Sequence, residues 1–364
     1  MTEAFQDRYR GPSAALPGQP RQWIEDSLRA LTEEFGDEPL RRPAVVPDEF
    51  VPSGYDGSED AAREVCLKVS ERMGISPERI RFSFQLEKVA AAARIFAAVQ
   101  LGQFVAKRGV FADVATPEDI EAVMVHSQLL KDLTPDNVVL LTEGDWLEDG
   151  QLLPELRQLA FYDVTAELTH CRGIAAEPDP ERRAELARQS RHRLDPAADP
   201  RDDDAPAGRW LDLSEHSPGF DLLPGYTAVL LNSRALVDPT ELLAVLSHEL
   251  AHEALRKSPL VDGAERELIT DLYAIFQGFG IAHVNASLDE RAVGDDESDI
   301  VGAGYLGEHL ATDALASWRF HQHLLVRDGG LVPSWYQALD PVPRARFLTR
   351  LDELPGAPLT VLGW

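Results

Sequence analysis

Residues 238–256 read Asp-Pro-Thr-Glu-Leu-Leu-Ala-Val-Leu-Ser-His-Glu-Leu-Ala-His-Glu-Ala-Leu-Arg, with an HExxH motif near the centre. The stretch predicts a helix that starts at its first residues, because Asp238 can cap the helix and Pro239 suits the first turn. Its leucines recur at helical spacing and form a broad apolar face: Leu242, Leu243, Leu246, Leu250 and Leu255. We therefore expect an amphipathic helix that carries the motif from His248 to His252.

The HExxH motif can bring two imidazoles to one point. Residues i and i+4 lie one above the other on a helix, so His248 and His252 can face a common cation, with Glu249 beside it. Zinc binds imidazole nitrogens at about 2.0–2.1 Å and keeps an open position for water in catalytic sites. The metal lowers the pKa of that water toward about 7, so a carboxylate can take its proton. The motif predicts a Zn2+ site with both histidines as ligands and Glu249 as the general base.

A third ligand must come from elsewhere, and the next predicted helix, residues 263–276, carries suitable carboxylates. Glu267 and Asp271 are four residues apart and share one helical face. We assign Glu267 as the third metal ligand. We assign Asp271 to a place behind the ligands, where it would orient the free ring nitrogen of His248 or His252. The residues also allow the reverse assignment, because Asp271 is correctly placed on the same face.

These two segments carry a resemblance to a known family. The HExxH pair and the run Glu267-Leu-Ile-Thr-Asp271-Leu-Tyr-Ala274 resemble the zincin metallopeptidases of the glutamate-ligand class. The pattern is similar to that of the ImmA/IrrE-type bacterial peptidases over about residues 225–280. The resemblance implies zinc, hydrolysis of peptide bonds and Glu267 as the third ligand. Thr270 stands where the family usually has Ala, and the sequel Phe276-Gln-Gly-Phe-Gly280 also departs from the family.

The pattern of elements predicts an α+β fold that is mostly helical, with a small sheet beside the HExxH helix and an α-rich N-terminal region. Strands are predicted at 209–213 and 227–232, and Gly278 and Gly280 are predicted to end the helix that follows the motif. In the zincins an edge strand beside the HExxH helix pairs with an extended substrate, and residues 227–232 are our candidate for it. We divide the chain into four parts: a disordered N-terminus at 1–19, an α-rich region at 20–171, an acidic Pro-rich linker or insertion at 172–207 and a zincin-like metallopeptidase domain at 208–364.

Charge and composition limit the partners. The chain has 364 residues, a net charge of −27 and a pI near 4.7. No basic stripe offsets the acid, which disfavours nucleic acid and acidic membrane surfaces as partners. The N-terminus has no apolar run like that of a signal peptide, and no window of 18 apolar residues suggests a membrane span. We expect a cytoplasmic protein with a peptide or protein substrate, no nucleic acid partner and no membrane association.

The other motifs in the sequence give little evidence for a second functional site. Gly302-Ala-Gly304-Tyr-Leu-Gly307 fits GxGxxG, but an acidic run precedes it and would repel a pyrophosphate, so we reject a nucleotide site. Tyr305 and His309 are candidates for the donor that stabilises an oxyanion in a zinc hydrolase. The sequence has no GxSxG motif, Walker A motif or set of kinase motifs.

Two other interpretations of the HExxH motif stay open. The first is a metal-binding but non-catalytic scaffold or pseudo-peptidase that acts through partner binding. A fourth protein ligand, such as His309, His321 or His323, would favour it, because structural zinc sites are closed by four ligands. The second is a chance occurrence of the motif in a metal-free helical protein.

Overall fold

The computed structural model describes residues 20–107, 116–127, 129–132, 147–148, 151–193, 208–212, 227–261, 265–287, 306–327 and 330–354. Within these residues the protein is mostly helical and has a small three-stranded sheet, which confirms the mostly helical α+β prediction at this level. None of the described helices combines the length and the apolar character that crossing a bilayer requires. The predicted disordered N-terminus, residues 1–19, lies outside the described residues.

The elements follow one another along the chain. The helices are α1 (Pro20–Phe35), α2 (Glu38–Arg41), α3 (Pro47–Phe50), α4 (Glu59–Arg72), α5 (Leu86–Val105), α6 (Pro117–His126), α7 (Pro154–Ala176), α8 (Pro180–Arg193), α9 (Pro239–Leu255), α10 (Arg266–Ala274), α11 (Gly280–Ala286), α12 (Gly307–Val326) and α13 (Pro341–Glu353). A π-helical turn, Ile275–Phe279, joins α10 to α11. The strands are β1 (Ile80–Ser83), β2 (Leu147–Glu148), β3 (Gln151–Leu152), β4 (Gly208–Asp212) and β5 (Thr227–Leu231). Short 3-10 turns occur at Pro77–Arg79, Leu129–Asp132, Ser233–Leu236, Pro259–Val261 and Ser334–Ala338.

The chain divides into two compact units. The first comprises Met1–Phe84, Pro206–Trp210 and Val229–Trp364, and the second comprises Gln85–Ala205 and Leu211–Ala228. This division groups α1 to α4 with the HExxH helix α9, whereas the predicted boundary lies at 172–207. The reason is packing, because Leu28 of α1, Val69 of α4 and Leu246 of α9 belong to one buried hydrophobic cluster. An apolar stripe in a sequence shows that a helix buries one face, but not which element covers it.

The second unit is built around α7. Helices α5 and α6 both pack against it, and its core includes Leu101, Phe104, Leu156 and Leu159. The pattern of the sequence extends this helix back to Gln151, but the helix starts at Pro154, because Gln151 and Leu152 form β3 and pair with β2 in antiparallel register. The apolar run at residues 138–141 also predicts a short strand, and this run lies outside the described residues.

The three-stranded sheet has the order β1–β5–β4. The prediction that residues 227–232 form the edge strand is wrong, because β5 lies between the other two strands and all five of its residues are buried. Its run Thr-Ala-Val-Leu-Leu lacks polar alternation, which is typical of a strand covered on both faces. Strand β4 lies close to α9 instead: a Cβ added at Gly208 would come within 2.5 Å of Val245 Cγ1.

A turn at Gly278 separates α10 from α11. Gly278 has φ of +99°, and its carbonyl oxygen accepts a hydrogen bond of 2.9 Å from the backbone N–H of Val45. Arg72 donates to the carbonyl oxygens of Gln277 and Pro43 at 3.2 and 2.6 Å. Gly278 does kink the chain, but the prediction that regular structure stops at Gly278 and Gly280 is wrong, because Gly280 begins α11. The chain therefore changes direction at Gly278 and continues as a helix.

Replacing Gly278 tests the importance of this turn. An added Cβ at Gly278 would lie 2.9 Å from Nη2 of Arg72, whereas Gly74, with φ of +72°, has no atom within 4 Å of that position. Gly74→Ala should lower the free energy of unfolding by about 1–2 kcal/mol, the cost of a left-handed backbone. Gly278→Ala should cost about 2–4 kcal/mol, because Arg72 must also leave its carbonyl partners. Urea denaturation measures both, and equal losses would show that the contact with Arg72 is unimportant.

Candidate metal centre

Helix α9 places the two motif histidines. The side chain of Asp238 caps it by accepting a hydrogen bond of 2.7 Å from the backbone N–H of Thr240, as the sequence predicts. The five leucines of its apolar face are all buried. Strand β5 and the 3-10 turn Ser233–Leu236 lead directly into the cap. The start of the helix is therefore anchored in the sheet, and this fixes the direction in which His248 and His252 point.

Three side chains meet at one point above this helix. Nε2 of His248 and Nε2 of His252 lie 3.2 Å apart. Oε2 of Glu267, on α10, lies 3.4 Å from the first nitrogen and 3.3 Å from the second. These three residues form a group that could hold a metal ion.

The dimensions of this triangle fit zinc. Ligands at 2.0–2.1 Å from a tetrahedral ion lie about 3.3–3.4 Å from one another, and the three observed distances are 3.2, 3.3 and 3.4 Å. Oε2 of Glu267 is buried, and its contacts of 3.3 and 3.4 Å with the two histidine rings are long and poorly formed as hydrogen bonds. A buried carboxylate oxygen without a well-formed hydrogen bond is costly. Two imidazole nitrogens and a carboxylate oxygen are a donor set that zinc accepts.

Asp271 lies behind His248. Its Oδ1 is 2.7 Å from Nδ1 of His248, and its Oδ2 accepts a hydrogen bond of 2.9 Å from the backbone N–H of Leu306. Both carboxylate oxygens are therefore engaged on the side of the ring away from Nε2. An ionised carboxylate can only accept, so the proton of this contact lies on Nδ1. The geometry favours Glu267 over Asp271 as the third ligand and gives Asp271 the orienting position.

The carboxylates around His248 favour positive charge. Burial alone lowers the pKa of His248, but the hydrogen bond and charge of Asp271, together with Glu267 and Glu249, raise that pKa well above its ordinary value. Burial raises the pKa of Glu267 and of Asp271, yet the neighbouring histidines outweigh it and lower both. The same electrostatic preference for a proton on the imidazole also favours a metal cation.

Glu249 lies beside the triangle and is buried, with 7 % of its surface exposed. Burial raises the pKa of its carboxyl group, and the two histidines offset only part of this effect. Strand β4 covers it: a Cβ at Gly208 would lie 3.0 Å from Cγ of Glu249, and the indole of Trp210 stacks on the ring of His252 at 5.6 Å. A raised pKa is what a general base working near neutral pH requires.

One residue near the centre was missed by the sequence analysis. His283, on α11, is buried, with Nε2 at 3.0 Å from Oγ of Ser247 and Nδ1 at 3.7 Å from Oδ1 of Asp271. Burial lowers the pKa of His283 to about 4. Its signal in the sequence is weak: a histidine between apolar residues just beyond the two glycines, where the helix was expected to end.

The other candidates lie away from the triangle or outside the described residues. Tyr305 is outside them. His309 is exposed, and His321 lies 2.9 Å from the carboxylate of Glu25. Neither of these nor His323 joins the metal-ligating group found among the described residues. A fourth protein ligand is therefore not supplied by the part of the chain that the structure describes.

Comparison of the chain with protein-family models, curated proteins and solved structures finds no match in any of the three. The geometry of the site is thus what bears on function.

Removing the proposed third ligand should abolish tight zinc binding. We expect one zinc per chain and an affinity that falls at least about 100-fold in Glu267→Gln, beyond the 10–100-fold typical of residues behind the ligands. Competition with a chelating dye measures this affinity. The matched control is Glu265→Gln, since Glu265 accepts a hydrogen bond from Trp23 and belongs to no ligand group. Equal affinities of the two variants would exclude Glu267 as a ligand.

Proposed function

We propose that this protein is a zinc-dependent metallopeptidase with a zincin-like catalytic arrangement. The observation that carries the proposal is the triangle of two Nε2 atoms and Oε2 of Glu267, with edges of 3.2–3.4 Å and no well-formed hydrogen bond to the buried carboxylate oxygen among the described residues. His248, His252 and Glu267 would hold the ion. Zinc bound there would supply a Lewis acid and lower the pKa of a coordinated water.

Asp271 and Glu249 have the two remaining roles, the orientation of a ligand and the transfer of a proton. Asp271 holds the proton on Nδ1 of His248, so Nε2 presents its lone pair to the ligand triangle. Glu249 accepts the proton of the attacking water and returns it to the nitrogen of the leaving amine. Burial supports this role, because the raised pKa of Glu249 makes its carboxylate a stronger base.

A peptide in extended conformation is the substrate class that this arrangement suits. Strand β4 is paired with β5 on one side only among the described residues. It lies next to α9, with Gly208 against Glu249 and Trp210 against His252. A sheet edge binds extended chains through backbone hydrogen bonds, which tolerates varied sequences. We propose β4, rather than β5, as the strand that pairs with the substrate.

The burial of Glu249 favours a second candidate function, a metal-bound scaffold without catalysis that acts through partner binding. Only 7 % of Glu249 is exposed, and the backbone N–H of Trp210 favours the charged form of its carboxylate. A base covered in this way reaches a substrate only if the covering strand yields. The two candidates share the metal site and differ in whether peptide bonds are cleaved.

Replacing the proposed general base separates binding from hydrolysis. Glu249→Gln should keep one zinc per chain, because Glu249 is not among the ligands, and should lose about 100-fold or more in rate, the usual contribution of a general base. The probe is fluorescein-labelled casein with zinc-loaded protein. Glu253→Gln is the matched control, one turn further along α9, where Glu253 pairs with Arg256 at 3.6 Å.

The outcomes are distinct. Cleavage by the parent and by Glu253→Gln, but not by Glu249→Gln, supports the metallopeptidase. Cleavage at the parental rate by Glu249→Gln contradicts the proposed mechanism. Stoichiometric zinc without cleavage of casein or of a mixed library of quenched-fluorescent peptides favours the scaffold.

A further inference from the structure

We infer that His283 is a positioning residue of the metal centre, which fixes the carboxylate of Asp271 by directing its Nδ1–H toward it. The inference rests on the proposed function, since Asp271 matters to a metal only through its contact with His248. His283 itself touches none of the proposed ligand atoms. It would act indirectly: His283 would hold Asp271, and Asp271 would orient the metal ligand His248.

His283 occupies a closed position between two helices. Its side chain is 3 % exposed, and the Asp271 side chain that it faces is 1 % exposed. Nε2 lies 3.0 Å from Oγ of Ser247, the residue that precedes the first motif histidine, and Nδ1 lies 3.7 Å from Oδ1 of Asp271. Burial holds the ring in its neutral form near pH 7, since it lowers the pKa to about 4. One ring nitrogen then carries a hydrogen and the other a lone pair.

The surroundings select the tautomer. If the hydrogen were on Nε2, the lone pair of Nδ1 would face the ionised carboxylate of Asp271 at 3.7 Å, which is repulsive. With the hydrogen on Nδ1, the ring presents its positive edge to that carboxylate, and Nε2 can accept from the hydroxyl of Ser247. That hydroxyl also lies 3.1 Å from the carbonyl oxygen of Ala244, to which it donates if Nε2 carries the hydrogen, so the Nδ1–H tautomer gives up this hydrogen bond. We assign Nδ1–H on the ground that repulsion between a ring lone pair and the buried carboxylate of Asp271 outweighs that loss.

Asp271 then has two hydrogen-bond donors and, at a longer distance, the positive edge of the His283 ring around it. Oδ1 faces Nδ1 of His248 at 2.7 Å and Nδ1 of His283 at 3.7 Å, while Oδ2 accepts from the N–H of Leu306 at 2.9 Å. The two donors come from α9 and the residue before α12, and the electrostatic contact comes from α11. A carboxylate held from three sides keeps its plane, and its plane sets the orientation of the ring of His248.

The chain makes a specific turn to place His283. Asp271 and His283 are twelve residues apart, and in one straight helix they would be separated by about 18 Å. The π-helical turn, with Gly278 at φ of +99°, lets α11 pack against α9 instead. The kink at Gly278 thus delivers a buried imidazole to the back of the centre.

The tautomer is directly measurable. Nitrogen-15 NMR of the histidine rings, in protein treated with EDTA at pH 7, should show His283 neutral with its hydrogen on Nδ1, the form that free histidine disfavours. The resonance is assigned by its loss in His283→Asn. A hydrogen on Nε2, or a charged ring, would overturn the inference, and this result does not depend on whether the protein binds zinc.

The consequence for metal binding needs variants that separate the N–H from the bulk of the ring. His283→Leu removes the donor, and we expect zinc affinity to fall about 10-fold or more, by analogy with other residues that orient ligands. His283→Asn places an amide N–H near the position of Nδ1 and should stay within about threefold of the parent. The control is Gln277→Leu, which removes a buried hydrogen bond to Tyr273 without touching Asp271.

These affinities discriminate between positioning and packing. Equal zinc affinities of His283→Leu and Gln277→Leu would overturn the inference. A His283→Asn affinity as low as that of His283→Leu would also overturn it. A parent that binds no zinc refutes the proposed function, while the tautomer still tests the contact of His283 with Asp271. If His283→Leu fails to fold, the tautomer of His283 and the zinc affinity of His283→Asn test the inference.

Discussion

The crowding of negative charge around two buried imidazoles is the constraint on which the rest of the structure depends. Glu249, Glu267 and Asp271 all approach one turn of α9. A buried ion without compensation costs several kcal/mol, so these carboxylates require protons on the imidazoles or a cation among them. The separations of 3.2–3.4 Å in the ligand triangle match those between ligands of one tetrahedral ion, and the contacts of Oε2 of Glu267 with the two rings are long for hydrogen bonds. A single divalent ion would satisfy all three ligands and reduce the repulsion at once.

Three helices carry the histidines and carboxylates of the candidate metal centre. Their packing against one another depends on residues far away in the sequence. Helix α9 supplies the histidines and Glu249, α10 supplies Glu267 and Asp271, and α11 supplies His283. The angle between α10 and α11 is set at the π-helical turn, where Arg72 of α4 binds two backbone carbonyl oxygens and the strand-like segment before α3 adds a hydrogen bond. The helices near the N-terminus are therefore part of the framework of the site, which explains why α1 to α4 belong to the same unit as α9.

Local interactions could be predicted from the sequence, and tertiary ones could not. The cap at Asp238 depends on a few neighbouring residues, and it was predicted as the structure has it. The i, i+4 spacing likewise determines that the two motif imidazoles meet. His283 was not predicted as a site residue because it reaches Asp271 only through the kink at Gly278, which the sequence pattern does not reveal. The place of β5 in the sheet and the helices that cover α1 depend on partners distant in sequence, and a pattern of apolar residues does not name its partner.

The burial of Glu249 need not oppose catalysis. Strand β4 approaches α9 so closely because residue 208 is a glycine, and any side chain there would collide with Val245 and Glu249. The same approach removes water from the carboxylate of Glu249, and this loss of solvation raises its pKa toward the pH at which a base works best. A strand that both tunes the base and offers a backbone edge would bind an extended chain next to the group that must act on it. Gly208 thus permits the close approach of β4 that raises the pKa of Glu249, and the same strand offers the edge proposed to bind an extended substrate.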